Sequence, residues 1–316
     1  MKEQLIIGSR GSRLALVQAE LVQAALKAIH PQIQTRIEIV ETTGDRLKSV
    51  PLAIIGGQGV FTKELEEALL THHIDLAVHS LKDLPTMLPT SLALAAITER
   101  EDARDCLVLP QPASATDAAA PVSIATLPKG ARVGTSSPRR AAQVRSARTD
   151  LVVKDLRGNV DTRLRKLDAG EYDAIILAAA GLKRLGLNNR INALLESHEM
   201  LPAVAQGALG IETCADDITT RELLAPLNNT CAWEECLAER SLLRGLGGGC
   251  QLPIAAHAEL REKVLTLDAL VITPDGRRAI RDSVVGVPGA PQELGETLAA
   301  RMLDLGAASL LAEQSI

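Results

Sequence analysis

The residues with the sharpest chemical meaning lie in three places. Cys250 follows Gly247-Gly248-Gly249, so a thiol stands on a loop stripped of side chains. Glycine loses more backbone entropy on ordering than other residues, and three in a row suggest that something approaches the backbone closely. An exposed thiolate is a strong nucleophile, which makes Cys250 a candidate for covalent attachment. Two plainer readings stand beside it. The thiol could be a small buried hydrophobe, or a zinc ligand with Cys231, Cys236 and His257, although that spacing matches no compact ligand knuckle. The second place is His79-Ser80-Leu81-Lys82-Asp83-Leu84-Pro85. At the carboxyl end of a strand, Lys82 and Asp83 would face a ligand crevice, with Asp83 placed to stabilise cations developing on substrate nitrogens. The alternative is an Asp that merely caps a turn before Pro85. The third place is a pair of turns, Gly8-Ser9-Arg10-Gly11-Ser12 and Gly134-Thr135-Ser136-Ser137-Pro138-Arg139-Arg140. Each follows a strand and opens a helix, presenting backbone N–H groups, hydroxyls and the positive end of a helix dipole to an anion. Ser12 and Ser137 also read as ordinary N-caps, with Pro138 at the first helical position.

Arginines extend the third group: Arg157 before Gly158-Asn159, Arg163 and Arg165 on the next helix, and Lys183-Arg184 after a later strand. Between Lys129 and Lys166 about eleven basic residues face only Asp150, Asp155 and Asp161, a local charge of roughly +8. The whole chain is acidic, with net charge -5, so the sequence predicts a local cationic surface and not a global tendency. Arg offers a planar fork suited to carboxylates and phosphates. Nucleic acid would suit such a cluster too. Overall acidity and an aromatic complement of only Phe61, Tyr172 and Trp233 count against it, because no stacking platform can be built.

These residues need elements to hold them. Leu5–Gly8 reads as a strand, Ser12–Ile29 as an amphipathic helix and Ile33–Val40 as an alternating strand. After a Gly-rich loop at 56–59 come helix Thr62–Thr71 and strand Asp75–His79. The rhythm repeats in strand Arg132–Gly134, helix Pro138–Ala147, strand Leu151–Leu156, helix Val160–Leu167 and strand Asp173–Leu177. The runs starting at Asp75 and Asp173 also rhyme, which predicts two similar α/β lobes, each with a mainly parallel sheet, around a crevice. Pro110–Pro128 reads as a loop between them. Beyond about residue 225 the pattern becomes α+β, with helix Ala232–Leu243, strands Ile254–Leu260 and Val264–Ile272, and a final helix Pro291–Ala312. The expected division is 1–103 with 208–225, 104–207, and 226–316. The chain's 316 residues allow two or three cores, filled by aliphatic side chains. No basic leader with a long apolar run opens the chain and no segment is long enough to cross a bilayer, so a cytosolic protein with its five cysteines as thiols is expected.

Eight motifs in order carry a resemblance: Gly8-Ser-Arg-Gly-Ser-Arg-Leu-Ala-Leu, Gly56-Gly-Gln-Gly-Val-Phe-Thr-Lys-Glu-Leu, Asp75-Leu-Ala-Val-His-Ser-Leu-Lys-Asp-Leu-Pro, Val133-Gly-Thr-Ser-Ser-Pro-Arg-Arg, Leu156-Arg-Gly-Asn-Val-Asp-Thr-Arg-Leu, Ala178-Ala-Ala-Gly-Leu-Lys-Arg-Leu-Gly, Leu201-Pro-Ala-Val-Ala-Gln-Gly-Ala-Leu-Gly-Ile-Glu and Gly247-Gly-Gly-Cys-Gln-Leu-Pro-Ile. Together they resemble the hydroxymethylbilane synthases, also called porphobilinogen deaminases, over nearly the whole chain. The resemblance implies two lobes like those of periplasmic anion-binding proteins plus a smaller C-terminal α+β domain. It also implies a monomer, and a dipyrromethane cofactor joined by thioether to Cys250, which the apoenzyme makes from its own substrate. On that primer four porphobilinogen molecules are joined, ammonia leaving each time, and hydrolysis frees the linear tetrapyrrole. A six-ring chain carries up to about twelve carboxylates, which explains the need for charge-assisted Arg contacts.

Carried over position by position, Ser80, Lys82, Asp83, Thr135, Ser136, Ser137, Arg139, Arg140, Arg157, Arg163 and Arg184 hold the cofactor. Arg10, Ser12, Phe61 and Gln206, with Arg157, Arg163 and Arg184, contact substrate, and Asp83 steadies the cationic azafulvene and the attacking pyrrole. Arg240, on the helix leading to Cys250, matches a family arginine. Departures are Ile54 and Gln58, where many relatives have lysine, and Gly247, where many have Glu. The competing reading is a two-lobed anion-binding protein without chemistry, since fold alone does not decide function.

Overall fold

The computed structural model describes residues 2–46, 62–111, 122–249 and 252–312. The first lobe is built on a sheet in which β1 (Gln4–Ser9) lies parallel to both β2 (Gln34–Ile39) and β3 (Leu76–Ser80). The helix α1 (Arg13–Ile29) is the crossover between the first two strands, with Ser12 as its N-cap, accepting from the Ala15 amide at 3.3 Å. Its apolar stripe, including Val22 and Leu26, closes against Leu5, Ile7, Leu76 and Val78. Each such fully buried aliphatic side chain stabilises the fold by about 1.5–3 kcal/mol. On the opposite face α3 (Lys63–Leu70) buries Leu65 and Leu69 against Ile74 and Ala77, and a single turn, α2 (Thr43–Arg46), precedes it.

The second lobe repeats this plan. β6 (Arg132–Gly134) lies parallel to β7 (Val152–Lys154) and β8 (Ala174–Ala178), with α4 (Pro138–Ala147), α5 (Val160–Asp168) and α6 (Ala179–Arg184) packed around them. The repetition extends to single hydrogen bonds. The Asp75 carboxylate accepts from the Ile6 amide at 2.7 Å, and Asp173 accepts from the Arg132 amide at 2.6 Å. Each aspartate immediately precedes the third parallel strand of its lobe, β3 or β8.

The sheets are mixed, where the sequence predicts mainly parallel ones. Their orders are β2-β1-β3-β10-β4 and β7-β6-β8-β5-β9. In each, an antiparallel strand enters beside the third parallel one: β10 (Leu209–Cys214) between β3 and β4 (Leu92–Ile97), and β5 (Asp105–Val108) between β8 and β9 (Ala193–Leu195). These strands are short buried runs such as Asp-Cys-Leu-Val, without the alternation that marks a half-exposed strand, so periodicity does not find them. Each is supplied by the chain as it arrives from the other lobe. The backbone therefore crosses between lobes twice, near 98–104 and 196–208, and the crossings touch. A Cβ on Gly207 would lie 2.2 Å from the Glu101 carbonyl oxygen, so only glycine fits there.

After α7 (Ile218–Leu224), the third part packs α8 (Thr230–Gly245) and α9 (Pro291–Asp304) on an antiparallel sheet of β11 (Ile254–Arg261), β12 (Val264–Ile272) and β13 (Ala279–Gly286). The predicted final helix is interrupted at Leu305–Gly306, and α10 (Ala307–Ala312) follows as a separate turn. Its core, with Leu242, Leu267 and Leu298, continues into Leu81, Leu84, Val204 and Ala205. This domain is thus welded to the segment that carries Asp83 and to the second crossing. Among the described residues no helix is long and apolar enough to cross a membrane.

Candidate active site

The turn after β3 lies close to the second lobe: Lys82 is near Asp105, Arg139 and Arg140, and Asp83 is near Arg163. β3 ends at Ser80, whose hydroxyl exchanges hydrogen bonds with the Gln18 amide at 2.8 and 3.2 Å. A 3-10 turn, Leu81–Asp83, follows. Buried Leu81 and Leu84 anchor it, the Leu81 amide donates to the Ala208 carbonyl, and the Arg240 guanidinium donates to the carbonyls of Leu84 and Pro85 at 2.9 and 2.6 Å. Asp83 is exposed on this pinned turn, and no described residue donates a hydrogen bond to its carboxylate. Arg240 therefore acts on the backbone beside Asp83.

Lys82 is half-buried and donates to the Gln206 side chain at 3.3 Å. Burial lowers its ammonium to about 8. Asp83 and Asp105 oppose that shift, while Arg140 and Arg139 add to it. Across the crevice Arg163, half-buried, is lowered to about 10 by burial and by Arg140, against the attraction of Asp83 and Asp155. Its Nε donates to the Gly158 carbonyl at 2.8 Å. Burial also lowers Arg184 to about 10, and Arg184 donates to the Gly207 carbonyl at 2.6 Å. Arg157 stands beside Asp155 at 3.1 Å, and Arg10 is half-buried on the turn after β1.

The turn after β6 is tightly knit. Ser137 caps α4 by accepting from the Arg140 amide at 3.4 Å, and Thr135 accepts from the Ser137 amide at 3.2 Å. Ser136 donates to the Leu156 carbonyl and accepts from its amide. Capping, one of the two sequence readings of Ser12 and Ser137, is therefore real. A cavity of about 200 Å³ beside this turn is lined by Thr135–Pro138, Arg145 and Lys154, and not by Asp83.

Two expectations change. Arg139 and Arg140 do not project from the surface. They are 4% and 6% exposed, and both pair with Asp105, each at 2.7 Å. Elsewhere in the basic stretch Arg132 pairs with Asp173 and Arg148 with Asp150. Part of the predicted cationic surface is thus neutralised, Arg139 and Arg140 inside the fold and Arg132 nearer the surface, by Asp105 and Asp173, which lie outside the stretch that linear charge counting covers. Lys183, too, pairs with Glu101 and Asp102 at the first crossing.

Asp105 was not among the residues singled out. The available signal was an acid opening an otherwise apolar strand, and it is fully buried. Gln206 joins it: its amide donates to Asp105 at 2.8 Å and to the Ala103 carbonyl at 2.7 Å.

Cys250, Phe61, Ile54 and Gln58 lie outside the described residues. The helix that leads to Cys250 ends at Gly245, and Gly247 holds φ +66°, a left-handed geometry that disfavours the Glu of many relatives. The zinc alternative loses Cys236, whose thiol burial pushes up to about 12. Among the described residues no group of His, Cys, Asp or Glu is arranged to hold a metal.

The donor set fits a polycarboxylate cofactor. Lys82, Arg139, Arg163 and Arg184 are all held below their ordinary proton affinity by burial, and the Nε of Arg139 is buried with no acceptor among the described residues. Desolvated cations of this kind gain most from arriving carboxylates.

Comparison with known proteins agrees. A family model described as porphobilinogen deaminase, dipyromethane cofactor binding domain, matches residues 5–222, and one described as porphobilinogen deaminase, C-terminal domain, matches residues 233–304. The porphobilinogen deaminase of Syntrophobacter fumaroxidans is 48% identical over 97% of this chain and 96% of its own length. Those of Roseiflexus sp. and Synechococcus elongatus are each 49% identical, over 99% and 97% of this chain and 100% and 94% of theirs. A solved substrate-binding domain of a putative amino acid transporter from Streptococcus pneumoniae aligns with TM-score 0.43 at 13% identity, covering 77% of this chain and 94% of that one. With both family models and these relatives matching over nearly its whole length, the chain belongs to the porphobilinogen deaminase family.

Proposed function

We propose that the crevice is the active site of a hydroxymethylbilane synthase, a transferase that joins four porphobilinogen molecules with loss of ammonia. One observation carries this reading. Four cations withdrawn from solvent (Lys82, Arg139, Arg140 and Arg163) gather around two carboxylates, Asp83 and Asp105, and Arg184 stands nearby at the second crossing, a surplus that suits a ligand bearing many carboxylates.

The dipyrromethane cofactor, when bound through Cys250, supplies the anchored pyrrole to which substrate is added. The chain's own residues do the rest. Lys82, Arg139, Arg140, Arg157, Arg163 and Arg184, with the hydroxyls of Ser80, Thr135, Ser136 and Ser137, hold carboxylates of the cofactor and the growing chain. Arg10, Ser12 and Phe61 orient the incoming substrate, while Gln206, expected from the resemblance to do so too, is buried with its amide bonded to Asp105, Ala103 and Lys82, and so acts through Lys82. Asp83 accepts hydrogen bonds from pyrrole N–H groups and stabilises the positive charge that develops as ammonia departs. It suits this task because its turn is fixed on three sides while its carboxylate stays open to the crevice. Arg240 keeps that turn in place.

The domain limits proposed are 1–103 with 208–225, 104–207, and 226–316, in keeping with sheet membership. The protein is proposed to work as a cytosolic monomer without a nucleic-acid partner. Intact-mass analysis of purified wild type and Cys250→Ala tests the reading. The expected result is a covalent excess of two linked pyrroles on the wild type, absent from the variant. Unmodified wild type that neither consumes porphobilinogen nor releases ammonia, although assembled in its presence, would favour a non-catalytic anion-binding protein.

A further inference from the structure

We propose that Asp105 is a positioning residue that ties the carboxylate-gripping side chains of both lobes into one unit at the crossing point. The inference rests on the proposed roles of Lys82, Arg139 and Arg140. One carboxylate gathers three neighbours. Asp105 Oδ2 accepts from Arg139 Nη1 at 2.7 Å, and Oδ1 accepts from Arg140 Nε and Nη2 at 3.0 and 2.7 Å and from Gln206 Nε2 at 2.8 Å. With its amide nitrogen so engaged, Gln206 must turn its oxygen to Lys82. The chain of contacts therefore runs from Lys82 on the first lobe, through the second crossing at Gln206 and the head of β5 at Asp105, to α4 of the second lobe.

The remaining donors show what this does. Arg140 also donates to the Ile176 carbonyl and Arg139 to the Leu201 carbonyl, so each fork is held in one orientation. Arg139 Nε is left buried without an acceptor among the described residues. Asp105 offsets one guanidinium of the two. The other, with Lys82, remains as local surplus for a carboxylate. The charges facing Lys82 are Asp83 on its own turn, Asp105 on β5, and Arg139 and Arg140 on α4. Removing the Asp105 charge takes away one of the two described carboxylates that favour the charged amine and leaves both guanidinium groups against it. Two buried like charges without their counterion also repel, and their forks lose a common registration point.

The test uses holoenzyme, with wild type, Asp105→Asn and Asp105→Glu compared. The pH dependence of Lys82 acetylation, read by peptide mass spectrometry, is measured beside KM and kcat for porphobilinogen and thermal unfolding. In Asp105→Asn the acetylation midpoint is expected to fall by about one pH unit, and KM to rise about tenfold. In Asp105→Glu the midpoint returns to near the wild-type value, while KM stays elevated because the longer side chain misplaces both forks. A purely structural role would lower the melting temperature and leave midpoint and KM of the folded fraction unchanged, and that result would overturn the proposal. If Asp105→Asn does not fold, a wild-type KM in Asp105→Glu overturns it. Arg163→Ala, which has no bond to Asp105, checks the crevice reading separately. An unchanged KM there would sink the carboxylate-gripping crevice, while a shifted Lys82 midpoint in Asp105→Asn would still stand.

Discussion

The two lobes are the same construction with different contents. Their registers align residue by residue: Ile7 with Leu76 and Leu209 with Ser80 in the first, Val133 with Ala174 and Asp105 with Ala178 in the second. Asp105 thus occupies the position of Leu209. The same substitution of charge for apolar recurs at the helix starts. After the capping serines, the second and third helical residues are Leu14 and Ala15 in the first lobe but Arg139 and Arg140 in the second. The first lobe carries its own buried polar pair on the opposite face of its sheet. His79 Nε2 lies 3.0 Å from Glu212, where the second lobe has Leu177 and Val108. The two lobes share a scaffold, and each buries charge at a different place on it. The second lobe fixes arginines, and the first fixes the strand end that presents Lys82 and Asp83.

The sharpest way to break this division of labour is through Asp83. Asp83→Asn is expected to lower kcat by about 100-fold or more with a smaller change in KM. Lys183→Met, at the matching exit of the second lobe, should leave kcat within about threefold, since Lys183 serves the crossing and not the reaction. Steady-state kinetics on both variants decide it, and equal losses would refute the asymmetry.

A second experiment exchanges lobe contents. His79→Leu alone should destabilise by about 3 kcal/mol, because buried Glu212 loses its partner. Adding Glu212→Val, which completes the second lobe's apolar pair, should recover most of that loss. Urea unfolding of the two variants and the double variant provides the cycle. Failure of the double to recover would mean that the pair does more than satisfy itself.

A smaller effect tests the sameness of the lobes. Asp75→Ala and Asp173→Ala each remove an acceptor from a strand amide and should cost about 1–3 kcal/mol. Values further apart than that range would break the correspondence. Smallest is a pH effect at Asp173. The hydrogen bonds from Arg132 hold Asp173 near 2. A carboxyl depressed in the fold contributes stability above its ordinary value near 4 and loses it as pH falls through 2. Acid unfolding of Asp173→Asn should therefore show a shallower decline between those limits than wild type.

Much of the site was legible because chemistry and grammar coincide in it. Ser12 and Ser137 announce helices and the crevice at once, and the Lys82-Asp83 pair follows a strand that its apolar run makes plain. Arg139 and Arg140 were legible as cations but not as buried ones. Their counterion lies 34 and 35 residues away in the chain, across a crossing point. The inserted antiparallel strands were missed for the same reason that they matter: fully buried, they carry no alternation.

The local residue pattern alone determined the strands and helices of the parallel units, the caps, and the inventory of reactive and anion-binding groups, because these depend on interactions within a few residues. Which carboxylate meets which guanidinium was decided only when the chain arriving from one lobe took its place in the other's sheet. Asp105 has meaning through the neighbours that this placement and the second crossing bring to it. A buried charge is tolerable only beside its partners, and partners so distant in sequence are specified by topology.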